Sequence, residues 1–247
     1  MPMSNRICAV IPTYNNCGTL EDIVRRTMRY VRDVVVVNDG STDASAEILS
    51  SMTEDGLHVI QYGRNRGKGY ALRRGLLFAA EHGFSYALTI DSDGQHYPED
   101  IPLLLEASGK WPEDLITGQR TLEAGTVPGG RRFANGFSNF WYAVQTGACV
   151  GDTQCGFRLY PLWRMRGIRM LTSRYESELE LLVFSAWAGI KVRPVPVRVW
   201  YPPAGERISH FRPFYDFLRI SVLNTLLCGG AVLYGYPMML IRWICGR

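Results

Sequence analysis

Four consecutive valines, Val34 to Val37, end abruptly in Asn38-Asp39-Gly40-Ser41. A short β-branched run with no polar alternation reads as a strand buried on both faces, and helices on both sides of a sheet provide that burial. The pattern recurs. Ile7 to Ile11 ends in Pro12-Thr13-Tyr14, and Tyr86 to Ile90 ends in Asp91-Ser92-Asp93, with Leu57 to Tyr62 as a further apolar run. Helical spacing fills the gaps at Leu20 to Val31, at Ala44 to Met52 after the N-cap candidates Ser41-Thr42-Asp43, and at Gly69 to His82. This alternation predicts an α/β fold with a doubly wound, mainly parallel sheet. Ligands of such sheets bind beyond the carboxyl ends of the strands, so the three polar clusters are expected to converge on one crevice.

The second half is less regular. Gly125 to Gly130 reads as a loop, Arg131 to Val150 carries aromatics at helical spacing, and Ser173 to Ala188 reads as a helix bearing Glu176, Glu178 and Glu180. Carboxylates two residues apart do not share a helix face, so at least one of the three is expected on the surface. Val192 to Trp200 alternates as a strand, and Pro194 and Pro196 mark it as an edge. The last stretch has no charge between Arg219 and Arg242, about the length a spanning helix needs, but Asn224, Gly229, Gly230, Gly235 and Pro237 interrupt it. Basic residues on both flanks give no inside–outside bias. The expectation is a domain over residues 1–210 followed by a segment, 211–247, that lies in or dips into the cytoplasmic leaflet; a buried core hairpin is the alternative.

With 247 residues, 47% of them hydrophobic, the chain suits one α/β domain with a small appendage. A net charge of +4 is too small to argue for a nucleic-acid partner. Six cysteines without a CxxC pair point to reduced thiols, and Met1 to Arg6 is followed by no long apolar core of a signal peptide.

Asp91 and Asp93, one residue apart at the tip of a buried strand, are costly without a positive partner. A divalent cation such as Mg2+ or Mn2+ takes oxygen ligands and often bridges to phosphates. Gln95 is nearby, and His96 is either a further ligand or a structural histidine. Asp39 is a candidate to accept hydrogen bonds from a nucleobase, although Asp-Gly is also a common turn pair. Arg64-Asn65-Arg66-Gly67-Lys68-Gly69 joins a strand to a helix N-terminus, a place that favours anions, but it lacks P-loop spacing and equally suits a solvated basic turn.

Pro12-Thr13-Tyr14-Asn15, Asn38-Asp39-Gly40-Ser41-Thr42-Asp43, Asn65-Arg66-Gly67-Lys68-Gly69, Asp91-Ser92-Asp93-Gly94-Gln95 and Cys155-Gly156-Phe157-Arg158 occur in an order that resembles the family 2 glycosyltransferases of GT-A fold. The nearest branch is that of the polyprenol-phosphate, or dolichol-phosphate-mannose synthase-like, enzymes. The resemblance implies that Pro12, Tyr14 and Asp39 hold the nucleoside of a GDP- or UDP-sugar, with Lys68 and Arg158 also on the donor. It implies that Asp91, Asp93 and Gln95 hold the metal. Arg120 and Arg131 or Arg132 match arginines near donor or acceptor phosphate, Asp152 matches a catalytic aspartate, and Ser209-His210 falls where relatives place a Ser-Lys phosphate clamp. Asn16, Asn38 and His210 depart from the family pattern.

The implied reaction is inverting sugar transfer. A phosphate monoester acceptor is largely dianionic near neutral pH and needs no base, whereas a sugar hydroxyl does. Asp152 is the first candidate for such a base, or for orienting the acceptor. The expected partners are a nucleotide sugar, a polyprenyl phosphate or glycolipid acceptor, and membrane lipid at the inner face of the cell membrane. A glycan hydroxyl in cell-surface polysaccharide synthesis is the alternative acceptor, and a homo-oligomer is compatible with the sequence.

Overall fold

The computed structural model describes residues 6–120, 129–201 and 213–245. Strands β1 (Ile7–Thr13), β2 (Asp33–Asn38), β3 (Leu57–Gln61) and β4 (Tyr86–Thr89) alternate with helices α1 (Cys17–Met28), α2 (Ser45–Ser51) and α3 (Lys68–Glu81). Then follow α4 (Ile101–Lys110), β5 (Leu115–Arg120), α5 (Gly129–Thr146), β6 (Arg158–Pro161), α6 (Glu176–Trp187) and β7 (Val192–Val197). They form one seven-stranded sheet of order β3-β2-β1-β4-β6-β5-β7. The pairs β1–β2, β1–β4, β2–β3 and β5–β7 are parallel; β6 runs antiparallel to both β4 and β5. The sheet is thus mainly parallel, and β7 is an edge, as its prolines predict.

Alternation along each strand sends side chains to two cores. Ala9, Ile11, Val34, Val36 and Leu88 pack against α1, α2 and α4. Cys8, Val10, Val35, Val37 and Ala87 pack against α3 and α6, and the same core takes in Tyr142 of α5. Both faces of the four-valine run are therefore covered. The strand order reverses between β1 and β4, which opens a crevice at their carboxyl ends.

The C-terminal segment is one helical rod: α7 (Pro213–Gly230), a π-helical stretch (Ala231–Gly235) and α8 (Tyr236–Ile244). Tyr215–Ile244 is long and apolar enough to cross a membrane by length and composition. One side of it is nonetheless docked on the domain. Leu223, Leu227 and Ala231 are buried in the core shared with α5 and α6. Gln145 Nε2 donates to Asn224 Oδ1 at 2.9 Å. Tyr236 donates to the carbonyl of Val144, and Arg242 to that of Trp187. Gly235 meets the Trp187 indole so closely that a Cβ there would lie 2.5 Å from its Nε1. The opposite side exposes Leu226, Val232, Leu233, Leu240, Trp243 and Ile244.

Candidate active site

The carboxyl ends of β1, β2 and β4 are tied together by short polar side chains. Asn38 Oδ1 accepts from the Ser41 amide at 3.1 Å and closes the turn after β2. Asn15, with φ of 53°, accepts from the Thr42 amide at 2.8 Å, while its own amide donates to Ser41 Oγ at 3.0 Å. Asn16 Nδ2 donates to Ser92 Oγ at 2.9 Å, and Ser92 Oγ donates to the Pro12 carbonyl at 3.2 Å. The two asparagines that depart from the family pattern thus have defined work in holding strand ends. Ser92, passed over between its acidic neighbours in the sequence, is the post that joins β4 to β1.

Asp39 is only 2% exposed. Its two carboxylate oxygens accept from the backbone amides of Arg66 and Gly67 at 2.8 and 2.7 Å. It anchors the basic loop before α3, and nucleobase contact, where it occurs, comes from a carboxylate already holding that loop. The anchored loop delivers Lys68 to the crevice. Lys68 Nζ lies 2.8 Å from Asp91 Oδ1 and 3.1 Å from Glu178 Oε2. Burial works against the ammonium, but Asp91 and Glu178 outweigh it and hold the Lys68 pKa above its ordinary value. Burial likewise disfavours the Asp91 carboxylate, and Lys68 overcomes this to keep it below the usual carboxylate range. Gly156 leaves the room for this cluster: a Cβ there would stand 2.9 Å from Asp91 Oδ2, 3.0 Å from Glu178 Oε1 and 3.2 Å from Lys68 Nζ.

At the end of β5, Arg120 grips Asp152 with two hydrogen bonds, Nε to Oδ2 at 2.6 Å and Nη2 to Oδ1 at 2.9 Å. Asp152 is 1% exposed and also accepts from the Gln154 amide at 3.1 Å. It is therefore an anchor for Arg120, where the motifs alone suggested a base or a residue that orients the acceptor. Arg158 is buried, with its guanidinium donating to the carbonyls of Glu178 and Thr153 at 2.9 and 2.8 Å. It braces the strand beneath the crevice, with no part of it exposed. A correction concerns the glutamates of α6, all of which are buried. Glu178 has Lys68, Glu176 faces Arg219 at 3.8 Å, and Glu180 accepts from the amides of Leu171 and Thr172. Each thus has a cation or a pair of N–H groups at hand, which spacing alone did not reveal.

Asp93 Oδ1 accepts from the Gln95 amide at 3.0 Å, so the second acidic residue is fixed by its own turn. The Gln95 carbonyl accepts from the Trp200 amide at 2.8 Å, which brings the chain after β7 alongside this turn. His96 is buried against Phe157, with its pKa pushed down to about 4, first by desolvation. Burial thus favours its neutral form. Pro12 is buried and Tyr14 half-buried at the β1 end, and Arg132 is exposed in the first turn of α5, where Arg131 also lies. Ser209 and His210 fall outside the described residues.

Among the described residues no group of three or more His, Cys, Asp or Glu side chains is arranged to hold a metal ion. Two carboxylates, one already shared with an ammonium, suit a cation that completes its shell with phosphate oxygens; Mg2+ commonly binds in this way.

The glycosyl transferase family 2 model matches residues 8–160, which span the ends of β1, β2, β4 and β5. The chain belongs to glycosyl transferase family 2. Within this family it is 27% identical over 211 residues to an undecaprenyl-phosphate mannosyltransferase of Micrococcus luteus, covering 81% of this chain and 86% of that protein. It is 25% identical over 245 residues to a UDP-N-acetylglucosamine–dolichyl-phosphate N-acetylglucosaminyltransferase of Methanococcus voltae, covering 89% and 98%. Mannosyl-3-phosphoglycerate synthase from Rubrobacter xylanophilus shares the fold, with a TM-score of 0.64 at 19% identity over 92% of this chain and 73% of that one. The GT-A expectation made from the ordered motifs thus holds for fold and family.

Proposed function

We propose that this glycosyltransferase moves a sugar, with inversion, from a nucleotide diphosphate sugar to the phosphate of a polyprenyl lipid. The observation that carries the acceptor is the apolar surface formed by the outer sides of α7 and α8. Directly beneath α7 packs α6, the helix that places Glu178 in the crevice. Arg219 of α7 lies 3.8 Å from Glu176, two residues before Glu178, so that surface starts beside the crevice. The relatives named for undecaprenyl and dolichyl phosphate support the same class.

The state of the carboxylates agrees with a phosphate acceptor. Asp39, Asp91, Asp152, Glu178 and Glu180 are each held by cations or amide N–H groups. A dianionic phosphate attacks without giving up a proton, so no free base is required. Arg120, fixed by Asp152, supplies preorganised positive charge to a phosphate in the crevice. Pro12 and Tyr14 line the nucleoside end. Mg2+ or Mn2+ would be held by Asp93 and Gln95 beside Asp91, and when bound it stabilises charge on the departing diphosphate.

The rod of α7 and α8 lies in the membrane interface and does not cross the bilayer, because it is fastened to the domain from Leu223 to Arg242. All six cysteines are free thiols, which fits the reducing cytoplasmic side. The test is product analysis with labelled GDP- and UDP-sugars, Mg2+ or Mn2+, and either undecaprenyl phosphate or a free glycan. Label is expected on the lipid phosphate, with a loss of about 100-fold or more in Asp93→Ala. Transfer to the glycan with none to the lipid overturns the acceptor assignment.

A further inference from the structure

The family motif gives Asp91 to the cation, yet the structure gives it to Lys68. One ammonium sits between two carboxylates, 2.8 Å from Asp91 Oδ1 and 3.1 Å from Glu178 Oε2. The site is enclosed: the side chains of Lys68, Asp91 and Glu178 are 21%, 23% and 12% exposed. The ammonium is not there by chance of a long flexible stem. It is the first residue of α3, and the two residues before it are clamped by the buried Asp39 through their backbone amides. Gly156 provides the space on the third side, since a Cβ would press on all three charged groups.

We infer that Lys68 is a built-in competitor of the divalent cation for Asp91, which keeps the acidic crevice from loading free metal and makes cation binding depend on the donor diphosphate. The inference rests on the metal-dependent reading of the site and specifies how that metal is admitted. Without Lys68, two partly buried carboxylates, Asp91 and Glu178, are left without the ammonium they share. Uncompensated carboxylates so enclosed are costly, and a divalent cation is the partner that oxygen donors of this kind attract. With Lys68 in place that position already carries a positive charge. A cation alone must then displace or repel the ammonium, whereas a cation bearing a diphosphate brings negative charge that Lys68 also attracts.

The test measures Mn2+ binding by electron paramagnetic resonance, with and without UDP or GDP, on the full-length protein. Wild type is expected to bind Mn2+ weakly alone. Lys68→Met is expected to tighten nucleotide-free binding at least tenfold, Lys68→Arg to leave it weak, and Lys68→Met with Glu178→Gln to lose most of the gain. Circular dichroism melting confirms that each variant is folded, and the Arg variant carries the test of charge if Met does not fold. Nucleotide-free affinity that is unchanged or weaker in Lys68→Met, or tightened in Lys68→Arg, overturns the inference. The nucleotide arm judges the parent reading separately: wild type that takes up no Mn2+ with either nucleotide removes the metal from the reaction, whatever Lys68→Met does without nucleotide.

Discussion

The two helical layers that cover the sheet are finished in opposite ways. The layer of α1, α2 and α4 closes its surface with ions. Arg25 pairs with Glu21, Arg26 with Asp22 and Glu99, and Lys110 with Glu106, all at least partly exposed. On the other side, the layer of α3, α5, α6 and α7 keeps its ions inside. Lys68, Asp91, Glu178, Arg120 and Asp152 are drawn into the crevice region, and the surface of α7 and α8 is left apolar. Exposed ion pairs contribute little to stability, while enclosed ones carry a large desolvation cost that only their partners offset. The contrast separates a layer faced with exposed ion pairs from one whose charges are enclosed and whose outer rod is apolar.

The sharpest way to break this contrast is to remove one partner of an enclosed pair. Asp152→Ala strands the Arg120 guanidinium, which is 13% exposed in its side chain. The expected cost is about 3 kcal/mol or more in urea unfolding, with turnover reduced at least tenfold. A cost below about 1 kcal/mol would put the pair in the same class as those on the opposite layer.

A change at the apolar surface acts on a different observable. Replacing Leu226, Leu233 and Trp243 together by serine removes three large outward side chains. Co-sedimentation with anionic vesicles is expected to fall at least tenfold, since each such group is worth about 1.5–3 kcal/mol when fully buried in apolar surroundings. Melting temperature in the absence of lipid should barely move. Undiminished vesicle binding would take the membrane away from this face.

The smallest effect belongs to the water-facing layer. Arg26 holds Glu99 with two hydrogen bonds, which places the Glu99 carboxyl at about 2 instead of its ordinary 4.5. A lowered folded-state pKa stabilises the protein above the unfolded value, and that contribution is lost as pH falls from 4.5 towards 2. The pair is about a third exposed on the glutamate side, so Glu99→Gln is expected to cost no more than about 1 kcal/mol near neutral pH and to flatten the acid limb of stability against pH. An acid limb as steep as that of wild type would show that Glu99 is not its source.

The same contrast explains what the sequence made legible. The strands β1 to β4 were readable because each is a short apolar run buried on both faces and stopped by a polar cluster. The elements β5, α4 and β6 were not assigned from sequence. The last of these opens on Arg158, an arginine whose burial depends on the carbonyls of Thr153 and Glu178 brought to it by the fold. Likewise, spacing two apart on α6 puts at least one of three glutamates on the surface until Lys68, Arg219 and the Leu171–Thr172 amides are seen to reach them from distant segments. The motifs located the crevice. What they did not give was the pairing inside it, because an ion pair leaves no periodicity in the chain.

The π-helical stretch Ala231–Gly235 has a consequence for the whole rod. In regular α-winding, a contact repeated every four residues drifts around the helix by about 40° each time. Leu223, Leu227 and Ala231 follow that drift, and the wider coil that begins there turns Gly235 back to meet Trp187. A deletion of one residue in this stretch would swing everything beyond it by about 100°. Trp243 would leave its outward heading and Arg242 would lose Trp187, so five residues set the direction in which the final two turns of the chain look.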